Sequence, residues 1–209
     1  SLKQYVHIND IEKALALAKA NYPKDRGIYD CDLILTTTNK TIIYVNDLLN
    51  KYHSQFHDNI LELECNSNNG GQNMKIWKGI ILQSAVTTYK SKKSLGIKKQ
   101  GTRLRNACRY IVHDIDDVAI YIQQIDDKKQ TQYINEDGVS TSYSDIFDIE
   151  LKDVCTNLRL SYASTYDSIQ SATCYGNIGL YETENSHFTV RRLIVGLGRA
   201  QVSSQISFG

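Results

Sequence analysis

The sequence predicts an α/β protein: a parallel sheet flanked by helices, interrupted by a small all-β insertion. Three observations lead there. Residues 32–52 read as strand, polar turn and helix in succession. Short β-like runs follow one another from residue 79 to residue 134. After Lys152, strands and helices alternate again. The expected partition is 1–74 with 150–209 for the α/β domain and 75–149 for the insertion.

The elements follow in order. Ile11, Ala14, Leu15 and Ala18 recur at the helical period. Asn9 can cap that helix, Glu12 follows three residues later, and Tyr22-Pro23 ends it. Asp32-Leu33-Ile34-Leu35-Thr36 is an apolar run too short for a helix, hence a buried strand. Thr37-Thr38-Asn39 is a polar turn, and Ile42, Val45, Leu48 and Leu49 share one face of a helix from Lys40. Such a unit presents polar side chains at the strand's C-terminal end, where open α/β sheets bind ligands. Asn66 to Gly71 is a loop by composition. Gly79–Val86, Tyr110–Ile115, Val118–Gln123 and Gln132–Ile134 are short strands, with turn signals at Asp116-Asp117 and Asp137-Gly138. This spacing suits a small barrel or curled sheet. Leu158–Ala163 alternates as a strand, and Ser164–Thr173 is a polar turn or helix start. Ile178–Tyr181 is a strand, Phe188–Leu197 a helix and Gln205–Phe208 a last strand.

Composition narrows the function. The 209 residues suffice for a proper core, and 41% hydrophobic with 22% charged is ordinary for a globular chain. Lys+Arg is 24 against 23 Asp+Glu, a net charge of +1, so any nucleic-acid contact must rest on local patches. Residues 90–109 carry eight basic side chains (Lys90, Lys92, Lys93, Lys98, Lys99, Arg103, Arg105, Arg109) and no acidic one. Residues 114–153 carry eleven acidic side chains and three basic ones. The basic arm is either a balanced, solvated loop or a phosphate contact. No apolar stretch approaches the roughly 18 residues of a membrane helix. The start, Ser1-Leu2-Lys3-Gln4, shows no apolar signal core. Cys31, Cys65, Cys108, Cys155 and Cys174 form no C-x-x-C pair and read as free thiols in a reducing compartment. His53 and His57 could share a helical face, but no third ligand stands near them, so no metal site is expected.

Three segments are more specific. Tyr162 to Thr173 is similar to the pattern Y-A-x-T-x-H-x-x-Q-G-x-T, matching at Tyr162, Ala163, Thr165, Gln170 and Thr173. Asp167 replaces its His and Ser171 its Gly. Leu193 to Ala200 is similar to L-Y-V-A-L-S-R-A, with Gly196 and Gly198 in place of Ala and Ser. Leu33 to Lys40, followed by Val45-Asn46, is similar to a strand ending in a T-x-T-N turn. Between them, Lys78-Gly79-Ile80-Ile81-Leu82 resembles a G-x-x-V strand, and Arg105 to Val112 an N-G-x-x-x-x-V turn and strand, with Ala107 for Gly. In this order the segments resemble the second half of a superfamily-1 DNA helicase, of the RecD-like and Dda-like group. The resemblance spans nearly the whole chain, and it is divergent. The richness in Asn, Ile, Lys and Tyr suits an AT-rich genome, as in some viruses and parasites.

The resemblance implies a second RecA-like domain (1–74 and 150–209) with an SH3-like barrel inserted (75–149). It implies an arginine finger at Arg199, which with Gln170 and Ser171 faces ATP during hydrolysis. It implies single-stranded DNA contacts at Thr37, Thr38, Asn39, Thr165 and Asp167, joined by the basic Lys92, Lys93, Lys98 and Lys99. Read without the resemblance, the Thr and Asn residues are turn formers and helix caps, and Arg199 is a surface ion-pair partner. Trp77, Tyr89 and Tyr110 are barrel core or base-stacking platforms, and Arg191 and Arg192 are solvated. No G-x-x-x-x-G-K-[ST] loop occurs, nor an Asp-Glu pair on an apolar strand. ATP and Mg are therefore expected in a complete enzyme and not on this chain alone. The expected partners are single-stranded DNA, a missing N-terminal ATP-binding domain, and primase or other replication proteins, with no membrane. The expected location is the cytoplasm or nucleus. The alternative is a helicase-derived, non-catalytic DNA-binding or scaffolding module of a replication complex.

Overall fold

The structure is a computed structural model that describes residues 2–22, 26–65, 71–91, 100–125, 133–134, 140–141, 146–168 and 176–209. In chain order the elements begin with α1 (Lys3–Val6), α2 (Ile11–Asn21), β1 (Leu33–Thr36) and α3 (Asn39–Ser54). Next come β2 (Leu61–Leu63), β3 (Met74–Ile76), β4 (Ile81–Ser84), β5 (Thr88–Ser91), β6 (Gln100–Leu104), β7 (Arg109–Ile115) and β8 (Ala119–Gln124). Then follow β9 (Tyr133–Ile134), β10 (Ser140–Thr141), β11 (Phe147–Glu150), α4 (Leu151–Asn157), β12 (Leu158–Leu160) and β13 (Ala163–Thr165). The chain closes with β14 (Ile178–Leu180), α5 (Val190–Leu197) and β15 (Ile206–Phe208). Two compact units result: residues 1–52 with 162–209, and residues 53–161.

The first unit is built on a parallel sheet of order β13-β1-β14-β15. β1 is buried at every position, as an apolar run between two neighbours must be. Its side chains alternate between two cores. Leu33 and Leu35 join Ile178, Leu180 and Ile206 against Tyr5, Ala14, Ala18, Leu193 and Leu197 of α1, α2 and α5. Ile34 joins Cys31 and Ala163 against Val45 and Leu49 of α3. Each buried Leu or Ile contributes about 1.5–3 kcal/mol. Helices thus cover both faces, as the sequence predicts. One cap differs: Asp10, not Asn9, closes α2, its Oδ1 accepting from the N–H groups of Glu12 (3.0 Å) and Lys13 (3.3 Å).

The second unit holds an antiparallel sheet of order β11-β8-β7-β4-β12, with β2–β3, β5–β6 and β9–β10 as separate pairs. Leu82, Tyr110, Ile120, Ile122 and Leu158 are fully buried there. Among the described residues β11 and β12 are its outer strands. The boundaries differ from those expected at 74/75 and 149/150. β2 pairs with β3 (Leu61 opposite Ile76) and β12 with β4 (Leu158 opposite Ser84), drawing both flanks into this unit. The run Leu158–Ala163, expected as one strand, is two. β12 is antiparallel to β4, while β13 is parallel to β1.

The free-thiol reading is corrected for two residues. Cys65, just after β2, and Cys155, in α4, form a disulfide with Cα atoms 5.3 Å apart, 90 positions apart in sequence. Cys31 and Cys108 are buried and form no disulfide. Gly79 takes φ +96°, which glycine tolerates. Ala107 takes φ +64° in the turn before β7, where the resembled pattern has glycine.

Candidate nucleic-acid interface

In a parallel sheet all C-terminal strand ends lie along one edge. Thr36 of β1 stands opposite Thr165 of β13, and Leu35 opposite Leu180 of β14. The two motif turns therefore meet there. Tyr166 N–H donates to Thr36 O (3.2 Å), which fastens one turn to the other. Thr36 is fully buried and its Oγ1 donates to Thr38 O (3.1 Å). Thr38 caps α3, its Oγ1 accepting from Thr41 N–H (3.3 Å).

The residue that organises this edge is one the sequence reading missed. Glu182, two positions after β14, points its carboxylate into the β1–α3 turn. Oε2 accepts from Thr37 N–H (2.8 Å), Thr37 Oγ1 (2.7 Å) and Thr38 N–H (3.0 Å). Oε1 accepts from Thr41 Oγ1 (2.5 Å) and Thr38 Oγ1 (3.2 Å). Burial alone would raise this carboxyl group's pKa. The donated hydrogen bonds from Thr41, Thr37 and Thr38 outweigh it and hold the value at about 2. Glu182 does this at φ +56°, a left-handed backbone rare outside glycine. The local signal was an acidic residue just beyond an apolar strand.

The second turn is closed on itself. Ser168 N–H donates to Thr165 Oγ1 (3.1 Å), Thr165 Oγ1 to Ser168 Oγ (2.9 Å), and Ser168 Oγ to Thr165 O (3.1 Å). Tyr166, fully buried, packs edge-on against Phe188 and donates its hydroxyl to Tyr181 O (3.0 Å). From beneath, α3 holds the strand that carries this turn. Asn46 Oδ1 accepts from Ala163 N–H (2.9 Å), and Asn50 hydrogen-bonds Tyr162, whose phenol burial pushes up to about 12.

Asp167 does not face solvent unpaired. Its Oδ2 lies 2.5 Å from Nη2 of Arg192, which also donates to His187 O (2.6 Å). Arg192 is thus not the solvated residue expected; its side chain is only 22% exposed. Arg191 is exposed.

Arg199 lies elsewhere. α5 starts beside Asp167 and runs back along the sheet. Past its end, Gln205 accepts from the N–H groups of Gln201 and Val202 and donates to Gly176 O, just ahead of β14. Arg199 is half-buried at that far end, its Nε donating to Val195 O (3.3 Å). Gly196 is bare because a Cβ there would come within 2.7 Å of Leu180 Cδ2 and 3.2 Å of Tyr166 Cε1. The structure thus brings Thr37, Thr38, Asn39, Thr165 and Asp167 to one edge, and Arg199 to the other end of α5. Gln170, Ser171, Lys92, Lys93, Lys98 and Lys99 lie outside the described residues.

In the second unit Trp77 and Tyr110 are core. Trp77 is 4% exposed and stacks on His57 (4.7 Å), and Tyr110 is fully buried with its hydroxyl accepting from Arg105 N–H (2.9 Å). Neither offers a face for a base. The side chain of Tyr89 lies outside the described residues.

Neither a protein-family model nor a curated protein matches the sequence. Solved structures do. Bacteroides Pif1 bound to ssDNA matches with a TM-score of 0.52 at 16% identity, over 94% of this chain and 45% of that one. Bacteroides Pif1 helicase in complex with ADP-AlF3 and ssDNA matches with a TM-score of 0.52 at 16% identity, over 99% and 46%. Pif1 helicase from Candida albicans matches at 12% identity over 94% and 49%, with a TM-score of 0.47. The chain spans about half the length of these structures. At such identity the likeness is one of fold, and the chain has a helicase-like α/β fold.

Proposed function

We propose that this chain is the second motor half of an ATP-dependent DNA helicase of superfamily 1. It supplies part of a single-stranded DNA track and an arginine finger to a nucleotide held by a separate ATP-binding domain. The observation that carries this reading is the meeting of two motif turns, residues 36–39 and 164–168, at one edge of the parallel sheet. That edge is where open α/β sheets take ligands. Exposed polar side chains at that edge suit phosphate oxygens and ignore base identity, as a translocating motor requires. The fold shared with proteins solved on ssDNA supports it. The basic Lys92, Lys93, Lys98 and Lys99 would add counterion release.

ATP, once bound, supplies the free energy for movement along the strand. The residues on this chain that fit its phosphates are few. Arg199 presents a planar fork of donors that matches phosphate oxygens. Gln170 and Ser171 are placed near it by the resembled pattern. Mg falls to the missing domain, as do the phosphate-binding loop and its lysine. Arg199 and Thr165 stand at opposite ends of α5, which suits a domain serving two ligands at two places. Primase or another replication protein would be a further partner of the complete enzyme.

Arg199→Ala in the full-length protein tests the proposal. DNA-stimulated ATP hydrolysis should fall about 10³-fold or more while ssDNA affinity is unchanged. Unchanged turnover removes the finger assignment. One observation favours the alternative of a non-catalytic DNA-binding scaffold: Asp167 is tied to Arg192 where the resembled pattern carries His. That reading predicts ssDNA binding with no hydrolysis in the wild-type full-length protein. Absence of both activities sinks both readings.

A further inference from the structure

The resemblance gives Thr37 and Thr38 to DNA, yet both backbone N–H groups and both hydroxyls of this pair already serve Glu182. We propose that Glu182 is a positioning residue that fastens the β1–α3 turn to the end of β14. Thr37 and Thr38 act through it, and the strand phosphate is met by Asn39 and Lys40 instead. This inference rests on the DNA-track reading above.

A DNA phosphate would have to compete for the same donors. It carries one negative charge, as the carboxylate does, so the exchange gains no Coulomb energy. The displaced carboxylate would then lie beside the phosphate and repel it. Glu182 is also tethered, at an effective concentration of about millimolar or higher. It remains ionised at any working pH, so it does not release the turn by taking up a proton. The carboxylate keeps its donors. Asn39 and Lys40 open α3, both exposed, on the turn that Glu182 holds. Lys40 adds the positive charge that the hydroxyls lack, while the N-terminal donors of α3 stay with Glu182. Fixing the turn fixes where these two side chains start.

The test measures ssDNA affinity of the full-length protein over a salt series, with amide hydrogen exchange at Thr37 and Thr38. Thr37→Val should leave the slope of log K against log salt unchanged, and Lys40→Ala should reduce it by about 0.7, one strand phosphate. Glu182→Ala should weaken binding several-fold and speed exchange at both amides about tenfold or more. Glu182→Gln, which keeps an acceptor oxygen for the two N–H groups, should fall between Glu182→Ala and wild type. A loss of affinity of about fivefold or more in Thr37→Val, with exchange at the Thr38 amide unchanged, would mean that Thr37 touches the phosphate itself, and it overturns the proposal. So does tighter binding by Glu182→Ala, which would make the carboxylate a block. An unchanged slope in Lys40→Ala overturns the assigned contact. If the wild type binds no ssDNA, the track reading fails. The clamp is then decided by exchange alone, and unchanged rates in Glu182→Ala would end it.

Discussion

Replacing Glu182 by Gln removes the charge that the Thr37–Thr41 donors hold, and acid should remove it in the same way. The carboxyl pKa falls from 4.5 to about 2 on folding, through hydrogen bonds that outweigh its partial burial. At about 1.4 kcal/mol per unit this is about 3 kcal/mol, which solvent screening of a half-buried group reduces to about 2 kcal/mol. The folded value lies below the unfolded one, so the unfolded chain takes up the proton first as pH falls. The contribution is complete above about pH 4.5 and is lost as pH drops toward about 2. Urea unfolding of wild type and Glu182→Gln, followed from about pH 7 to about pH 3, checks this. The gap in stability should be about 2 kcal/mol at neutral pH and shrink steadily below about pH 4.5. A gap that stays constant to about pH 3 refutes the reasoning, because the carboxylate would then contribute through packing and not through its charge.

Further predictions rest on other contacts. A double-mutant cycle of Asp167→Asn with Arg192→Gln should give about 0.5–1 kcal/mol of coupling that weakens with salt, since the pair is half in water; zero coupling would make it incidental. Ala107→Gly should raise Tm by about 2–4 °C by relieving φ +64°, and a fall would contradict the assigned backbone. A dithiol reductant should lower the unfolding midpoint of residues 53–161, with chain entropy setting an upper bound of about 4–5 kcal/mol for the Cys65–Cys155 bridge; an unshifted midpoint would show the bridge does not form. Asn46→Ala should cost about 1–3 kcal/mol in denaturant unfolding, because it orphans the buried N–H of Ala163; no loss would mean water replaces the side chain.

β1 was legible because a buried central strand reads as an unbroken apolar run, and the polar Thr37–Asn39 announces its end. Tyr162–Thr165 was legible through order and spacing with two other segments. Glu182 was not, because its partners lie about 145 positions away and nothing local marks a carboxylate as a clamp. Alternation over Leu158–Ala163 gave the face of each residue but not the sheet it joins, since both ladders demand the same period. Asn9 and Asp10 are equally good caps by type, and only the extended backbone at Asp10 selects between them. Arg191 and Arg192 are neighbours on one helix, and which meets Asp167 depends on the rotation of α5. Cys65 and Cys155 carry no local signature at a separation of 90. Trp77 and Tyr110 left core and platform open until burial decided for core.

Every strand of the parallel ladder comes from residues 33–36, 163–165, 178–180 and 206–208. Asn50, near the point where the chain departs this unit, hydrogen-bonds Tyr162, the first residue on its return. Exit and re-entry are therefore adjacent doorways. In topological terms residues 53–161 are an excursion, free to grow, shrink or be exchanged without shifting any register in the ladder. A lineage could remodel that excursion extensively while the Thr36–Thr165 edge stayed in place, and a short polar bridge from Tyr52 to Tyr162 could stand in for it.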